Sequence, residues 1–299
     1  MSHQSTSSSS ERPPISDTSS EAMSEECQLG SVAEEVRQSS VYVDLNSTFK
    51  LYPYLTNPSR KGFFDIFPCE EGEFVYHSPS NPRTEYYTYM YDCFFTKLGV
   101  RLPFTDFQCE ILRILNVAPT QLHPGVWSFV RSFEVICREV GFPPSAYAFF
   151  SFFLAKKSNN SWVYMSNFSG RSLVRPYHSS WKGIHSFKGK FFRVRPGPNY
   201  PRLFHDESGD PLFPFYWTEN PHSKIRRRNL PKTDADEQLI SLLREATPVS
   251  AADVLGNERD REKLTSLLSN YSSLVMLILF FSLLFFYTYR TCFSFPPLY

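Results

Sequence analysis

The stretch from Leu102 to Pro144 reads LPFTDFQCEILRILNVAPTQLHPGVWSFVRSFEVICREVGFPP, and it decides the fold of this chain. Thr105 followed by Gln108 is a capping-box pattern, which marks the start of a helix. Apolar residues then recur at helical spacing, and Pro119 is expected to end the element because proline disfavours helical geometry in the residue before it.

A second helix is predicted to open near Pro124, a tolerated first-turn position. Trp127 begins an apolar stripe along this helix, whereas Arg131 and Glu134 lie mostly off that stripe. Gly141 fits the position after the last helical turn, and the prolines that follow forbid continuation. The sequence therefore predicts two helices that pack through their apolar faces.

A third segment, residues 145–157, is apolar nearly all round and rich in Phe. This composition predicts a buried helix. At ~13 residues the segment is too short to span a bilayer, which takes about 20.

Three later strings accompany this helical region: WVYMSNFSGR from Trp162, FFRV from Phe191 and DPLFPFYWT from Asp210. Together with residues 102–137 they resemble the gag-like N-terminal region of plant gypsy-type retrotransposons, also named the gypsy-type transposase or plant transposon protein domain. The resemblance covers roughly residues 63–221. It implies a retroelement origin. The family has no established active site whose residues could be assigned in this sequence.

Composition is typical of one globular domain with tails. The 299 residues are 41% hydrophobic and 17% aromatic, and the net charge of +1 predicts no partner by itself. The six cysteines show no CxxC spacing, which favours buried free thiols in a reducing compartment. The expected organisation is a disordered tail over 1–40, a globular domain over 41–221, a basic linker over 222–233, short amphipathic helices over 234–270 and a hydrophobic helix over 272–290.

The N-terminal tail is rich in serine and acidic residues and has little apolar surface to offset the entropy of ordering, so disorder is predicted. Its first 40 residues lack the apolar run of a signal peptide. Further along, residues 63–67 and 74–76 flank an acidic turn and are expected to pair as two strands. Residues 86–91 lead into a short helix that Gly99 stops.

Beyond Lys157 the apolar period changes to that of strands. Residues 162–167 alternate, residues 191–194 form a second strand, and a polar hairpin is expected between Phe204 and Leu212. The predicted fold class is α+β: an aromatic-rich helical core followed by short antiparallel strands, with a disordered N-terminal tail and a C-terminal hydrophobic helix.

Residues 156–202 contain ten basic residues and neither Asp nor Glu, and aromatic residues are interleaved. Basic side chains gain from counterion release near phosphates, and exposed rings stack on unpaired bases, so RNA or single-stranded DNA is an expected partner. A core of aromatics beneath a solvated basic face remains the alternative. The candidate nucleic-acid-binding residues are Arg171, Arg175, Trp181, Lys182, Lys188, Lys190, Arg193 and Arg195.

A second basic cluster lies in the predicted linker. It consists of Lys224, Arg226, Arg227 and Arg228, and it fits a nuclear localisation signal, a nucleic-acid patch or a plain basic linker.

The C-terminal part adds two amphipathic helices and an uncharged run over 272–289. At ~1.5 Å per residue that run reaches about 27 Å, enough for a bilayer core. Basic residues precede it, so a tail anchor with the N-terminal bulk in the cytoplasm is predicted. The alternative is that this run is a translation of pyrimidine-rich non-coding DNA. In that case no anchor exists, and the protein is expected in the cytoplasm or the nucleus. Neither end of the chain is expected to join the core of residues 63–221.

No catalytic motif is present: the sequence has no GxxxxGK[ST], no GxSxG and no HExxH. The acidic group around His205 and Asp206 is interpreted as a polar turn, so neither metal nor cofactor is expected. The leading hypothesis is a non-enzymatic, retrotransposon-derived gag-like protein that self-associates or binds nucleic acid without sequence preference. The alternatives are a tail-anchored membrane adaptor and a transposase-type nuclease.

Overall fold

The computed structural model describes residues 34–56, 60, 62–79, 87–158, 162–170, 172–177 and 187–271. Helices and mainly antiparallel strands alternate along this part of the chain, which confirms the α+β class. The tail up to residue 33 and the hydrophobic segment from 272 lie outside the described residues. The helices are α1 Leu45–Phe49, α2 Tyr52–Leu55, α3 Asp92–Thr96, α4 Asp106–Leu115, α5 Pro124–Val140, α6 Ala146–Phe149, α7 Asp234–Glu245, α8 Ala251–Gly256 and α9 Arg261–Leu267. The strands are β1 Phe64–Phe67, β2 Thr88–Tyr91, β3 Phe153–Lys157, β4 Val163–Asn167, β5 Val174–Arg175, β6 Phe191–Pro196 and β7 Val249–Ser250.

Helix α4 starts as the sequence predicts. The Thr105 hydroxyl accepts a hydrogen bond from the Gln108 amide at 3.2 Å, and the Thr105 amide donates to the Gln108 side chain at 3.3 Å. The helix ends at Leu115 because Asn116 adopts a left-handed conformation, with φ 52°. A short 3-10 turn then begins at Pro119.

Helix α5 is the centre of the molecule. It runs from Pro124 to Val140, and Gly141, with a φ of 76°, caps its C-terminus as predicted. The prediction of a single apolar stripe is wrong, because 14 of its 17 residues are buried and these include Arg131 and Glu134. Both charges tolerate burial because they pair with each other at 2.7 Å.

The third predicted helix is wrong over most of its length. Ser145 caps only the short helix α6, and the chain then extends as strand β3. Phe153 in β3 packs on Phe129 at 4.9 Å and on Phe149 at 4.7 Å between ring centroids, so its burial does not require a helix. Short aromatic runs suit either structure, and pairing with β4 satisfies the backbone here.

Strand β6 lies between β1 and β2 in a three-stranded antiparallel sheet. Ile66 faces Val194, and Met90 faces Phe192, in the two pairings. The predicted hairpin between residues 63–67 and 74–76 is therefore wrong. Phe74 makes only an isolated bridge to Ser39, because β6 supplies the hydrogen bonds that β1 needs.

The predicted strand at residues 162–167 is confirmed as β4, which pairs with β3 in an antiparallel hairpin. An isolated parallel bridge joins Leu122 to Val163 and attaches this hairpin to the start of α5. The polar turn after Phe204 is also confirmed, since His205 bridges Pro211 and the Leu212 amide donates to the Phe204 carbonyl at 2.9 Å.

The amphipathic helices predicted over 234–270 are present as α7, α8 and α9, but the expectation that this end stays off the core is wrong. Leu239 and Leu243 of α7 and Val254 of α8 are each 1% exposed or less. Strand β7 pairs in parallel with β5, and Asp236 accepts a hydrogen bond from the hydroxyl of Ser145. These contacts make the C-terminal helices part of the same hydrophobic core.

Candidate nucleic-acid interface

The structure separates the predicted nucleic-acid-binding residues instead of gathering them on one face. Arg171, Trp181 and Lys182 lie outside the described residues. Arg175 is exposed on β5, opposite Ser250 of β7. The remaining four lie in β6 or in the turn that leads into it.

Arg193 is not an exposed position, contrary to the sequence interpretation. Only 13% of its side chain is exposed, and its guanidinium lies 2.6 Å from Glu73 and 3.1 Å from Glu70. Burial opposes the charge of Arg193, but the hydrogen bond and the charge of Glu73 outweigh burial and raise its pKa. The hydroxyls of Tyr87 and Tyr89 donate to the same carboxylate, so this cluster holds the sheet together.

Arg195 is exposed but not isolated. Its Nε lies 3.6 Å from Asp65 on the paired strand, and its guanidinium lies over the ring of Phe67 at 5.1 Å. Cross-strand pairing thus places acidic residues from outside the acid-free run beside two of its arginines.

Four of the aromatic residues in the run belong to the core, as the alternative interpretation proposed. Trp162, Phe187, Phe191 and Phe192 are each 3% exposed or less. Tyr164 differs, because its side chain is only half-buried on β4. Its ring is accessible to a ligand in a way that the core rings are not.

Tyr164 lies within a small group that we call the basic–aromatic surface: His123, Lys156, Tyr164 and Lys188. Lys156 is exposed on β3 directly opposite Tyr164. Side chains of directly opposed residues share one face of a sheet, so this cation and this ring are neighbours. The Tyr164 ring also stacks on His123, with 4.7 Å between centroids and 27° between planes.

Lys188 supplies the second cation of this surface. Its Nζ lies 5.5 Å from the ring centroid of Trp162, which is buried beside His123. Lys190 lies two residues further along and is half-buried; its carbonyl accepts from the Asp92 amide at 2.9 Å. The surface thus combines two lysines with one accessible ring.

His123 contributes a neutral ring. Burial, followed by the charge of Lys188, lowers its pKa to about 4. Its Nδ1 accepts a hydrogen bond from the Gly125 amide at 3.0 Å and so caps α5. Near neutral pH the imidazole therefore stacks on Tyr164 without adding charge.

Sequence reasoning placed Lys156 and Tyr164 in the basic run but did not select them, and it missed His123 altogether. His123 lies far from the run in sequence, and the bridge between Leu122 and Val163 brings it there. The only sequence signal for the surface was the alternation of side chains along β4, which places Tyr164 on the face opposite the buried Val163.

The second basic cluster is divided between the surface and the body. Lys224, Arg226 and Arg228 are exposed. Arg227 instead donates to the Ser151 hydroxyl at 2.8 Å and lies over the ring of Tyr147 at 4.9 Å. The linker is therefore attached to the domain at Arg227.

The described residues contain no group of three or more His, Cys, Asp or Glu side chains that could hold a metal ion. Within the same residues, no helix has the length and apolar character needed to cross a membrane. The segment 272–290, predicted to do so, lies outside them.

This geometry defines an α+β domain around a buried helix, with a small basic–aromatic surface where the β3–β4 hairpin meets the start of α5 and the turn before β6. Residues 90–157, from β2 to β3, match a protein family described as "Putative gypsy type transposon". Over this stretch, which lies within residues 63–221, the match confirms the resemblance to gypsy-type transposon proteins seen in the sequence. No curated protein and no solved structure matches the chain.

Proposed function

We propose that this chain is a retrotransposon-derived, gag-like protein that acts without catalysis and binds single-stranded nucleic acid without sequence preference. The transposon-related domain supports the origin. Binding without sequence preference needs only cations for the phosphates and a ring for the bases, because every base has a π-face.

The observation that carries this proposal is the placement of Lys156 directly opposite Tyr164. A base stacked on Tyr164 would bring its phosphates near Lys156, and Lys188 over the Trp162 ring supplies the second cation of the surface. The neutral ring of His123 backs Tyr164 and fixes its orientation. With two lysines and one ring, binding should be weak and sensitive to salt.

The test is the affinity of the full-length chain, held in a non-ionic detergent, for a fluorescent 20-nucleotide oligo-dT at low ionic strength. The double variant Lys156→Gln with Lys188→Gln should bind about 5- to 30-fold more weakly. This range assumes that each exposed lysine–phosphate pair contributes up to ~1 kcal/mol of binding free energy. The matched control, Lys50→Gln with Arg244→Gln, removes two exposed cations elsewhere and should leave the affinity within twofold. Equal losses in both variants would contradict the proposal.

Self-association is the second candidate, and an exposed apolar segment favours it. Val41, Val43, Leu45 and Phe49 are 48–58% exposed, and the last two lie one turn apart on α1. Clustered exposed apolar side chains mark interaction sites between proteins.

The partner we propose for this segment is a second copy of the chain. Leu45→Glu with Phe49→Glu should lower the apparent mass in sedimentation velocity at micromolar concentration. The exposed neutral pair Thr96→Glu with Asn229→Glu adds the same two negative charges elsewhere and serves as the charge-matched control. A wild-type chain that sediments as a monomer would remove this candidate.

A further inference from the structure

A cationic pocket lies apart from the basic–aromatic surface. It has a volume of about 810 Å³ and opens between the turn after α3, the side of α5 and the segment from α8 to α9. The six cations that line it are Lys97, Arg101, Arg131, Arg138, Arg259 and Arg261.

The pocket concentrates positive charge. Its only lining carboxylates among the described residues are Glu139 and Glu258, so six cations against two acids leave an excess of four charges. The whole chain carries only +1. A concave site with such an excess attracts anions, because low-dielectric walls focus the field into the cavity.

Both carboxylates are already engaged with arginines of α5. Glu258 lies 2.9 Å from Arg131 and 3.1 Å from Arg138, while Glu139 lies 3.4 Å from Arg138. Arg131 also pairs with Glu134, so its charge is largely neutralised. Both lining acids therefore pair with arginines on the α5 wall of the pocket.

The other arginines lack such partners. Arg101 donates to the carbonyls of Tyr54, Phe95 and Val100, at 2.5, 3.4 and 3.0 Å. In the part of the chain that the structure describes, no carboxylate lies within 4.0 Å of Arg101, Arg259 or Arg261.

The guanidinium group of Arg101 is close enough to those of Arg259 and Arg131 to be repelled by them. Burial lowers the pKa of Arg101, and the positive charges of Arg259 and Arg131 lower it further. A bound anion would relieve that repulsion. Three arginines without a carboxylate partner on two walls of one cavity are a poor arrangement for stability alone, so they point to a ligand.

We propose that this pocket binds a compact polyphosphate, an anion of three or four charges such as a triphosphate group. The planar arginine fork matches phosphate oxygens, and the volume falls within the range of small-ligand sites, ~300–1,000 Å³. A triphosphate group occurs both in free small molecules and at the 5′ end of RNA, and the two sources present the same chemistry to the pocket.

Glu258 competes with such a ligand, because it occupies Arg131 and Arg138 in the empty pocket. Glu258→Gln removes one negative charge from the wall while keeping the shape of the side chain. Phosphate affinity should therefore rise at least about threefold, although the unliganded protein should melt at a lower temperature. A purely structural role for these charges predicts the lower melting temperature without the gain in affinity.

The experiment is calorimetric titration of the full-length chain in non-ionic detergent with inorganic tripolyphosphate at low ionic strength. Wild-type protein should bind, and Arg259→Gln with Arg261→Gln should weaken binding more than tenfold. The control pair, Arg228→Gln with Arg244→Gln, removes two exposed arginines that do not line the pocket and should change affinity less than twofold. The Lys156→Gln and Lys188→Gln variant should also bind normally, so this proposal and the proposed function can fail separately.

A second arm distinguishes the two sources of the ligand. A short RNA with a 5′-triphosphate should compete with tripolyphosphate, whereas the same RNA with a 5′-hydroxyl should not. Absence of tripolyphosphate binding by the wild-type chain would overturn the proposal. Equal losses in the pocket variant and its control, or equal competition by both RNAs, would overturn it as well.

Discussion

His123 shows how one residue links the fold to the candidate surface. Its Nδ1 accepts the hydrogen bond that caps α5, and its ring stacks on Tyr164. Protonation of Nδ1 would remove the acceptor and place a charge beside Lys188. Both effects disfavour the charged form, in agreement with the lowered pKa of about 4.

This pKa makes stability depend on pH in a defined direction. Between pH 6.5 and 4 the unfolded chain binds a proton at His123 before the folded chain does, so the stabilisation present above pH 6.5 is lost as the pH falls. The loss from pH 7 to pH 5 should be about 2 kcal/mol. His123→Asn keeps a capping acceptor but cannot titrate, and its urea unfolding should lose correspondingly less between these pH values. The same loss in both proteins would contradict the assignment.

Single residues were predictable from sequence where their partners are local. Thr105 with Gln108, and Gly141, follow from helix-end chemistry within four residues. Arg131 has a local acidic partner in Glu134, but Glu258, which also pairs with it, lies 127 residues away. Arg193 was not predictable as buried, because its acidic partner Glu73 lies 120 residues away. A single sequence gives no signal for such a pair.

At the scale of elements, the two central helices were predicted well because their apolar periods and end signals agree. Strand β3 was not, because an aromatic run has no decisive period. The prediction of a hairpin over residues 63–76 was wrong for another reason. Adjacent strand-like runs need not pair with each other when a distant strand such as β6 is available. The basic–aromatic surface depends on such distant contacts, so sequence reasoning selected only Lys188 and the general region.

Helices α7 to α9 were predicted as elements but not as part of the core. Leu239, Ile240, Leu242 and Leu243 of α7 are each 1% exposed, and full burial of such a side chain contributes ~1.5–3 kcal/mol. The summed contribution of these four side chains is comparable with the whole free energy of unfolding of a typical domain, about 5–15 kcal/mol. These helices should therefore be required for folding.

Two truncations test that requirement. A chain ending at Tyr271 keeps every contact described above and should show a cooperative thermal transition by circular dichroism. A chain ending at Thr233 lacks α7 to α9 and should melt at least about 10 °C lower or lose its cooperative transition. Equal melting temperatures would mean that the C-terminal helices do not contribute to the core.

At the scale of the whole molecule, charge is distributed unevenly around a nearly neutral total. Arg193 and Arg195 of the acid-free run are paired with acids where β6 meets β1 and the Glu70–Glu73 turn, whereas Lys156 is exposed on the β3–β4 hairpin. A separate excess collects in the cationic pocket. Sequence composition gave the total of +1 but not this separation, which arises only when distant segments pack together.

The central claim is that the lysines of the basic–aromatic surface contact nucleic-acid phosphates while Tyr164 contacts a base. The most direct measurement is the salt dependence of oligo-dT affinity for the wild-type chain, Lys156→Gln and Tyr164→Ala. Neutralising Lys156 should reduce the slope of log K against log salt by about 0.7, the value for one phosphate contact on a single strand. Tyr164→Ala should weaken binding to the single strand more than to a duplex and leave the slope unchanged. An unchanged slope in Lys156→Gln, or no salt-dependent binding by the wild-type chain, would contradict the claim.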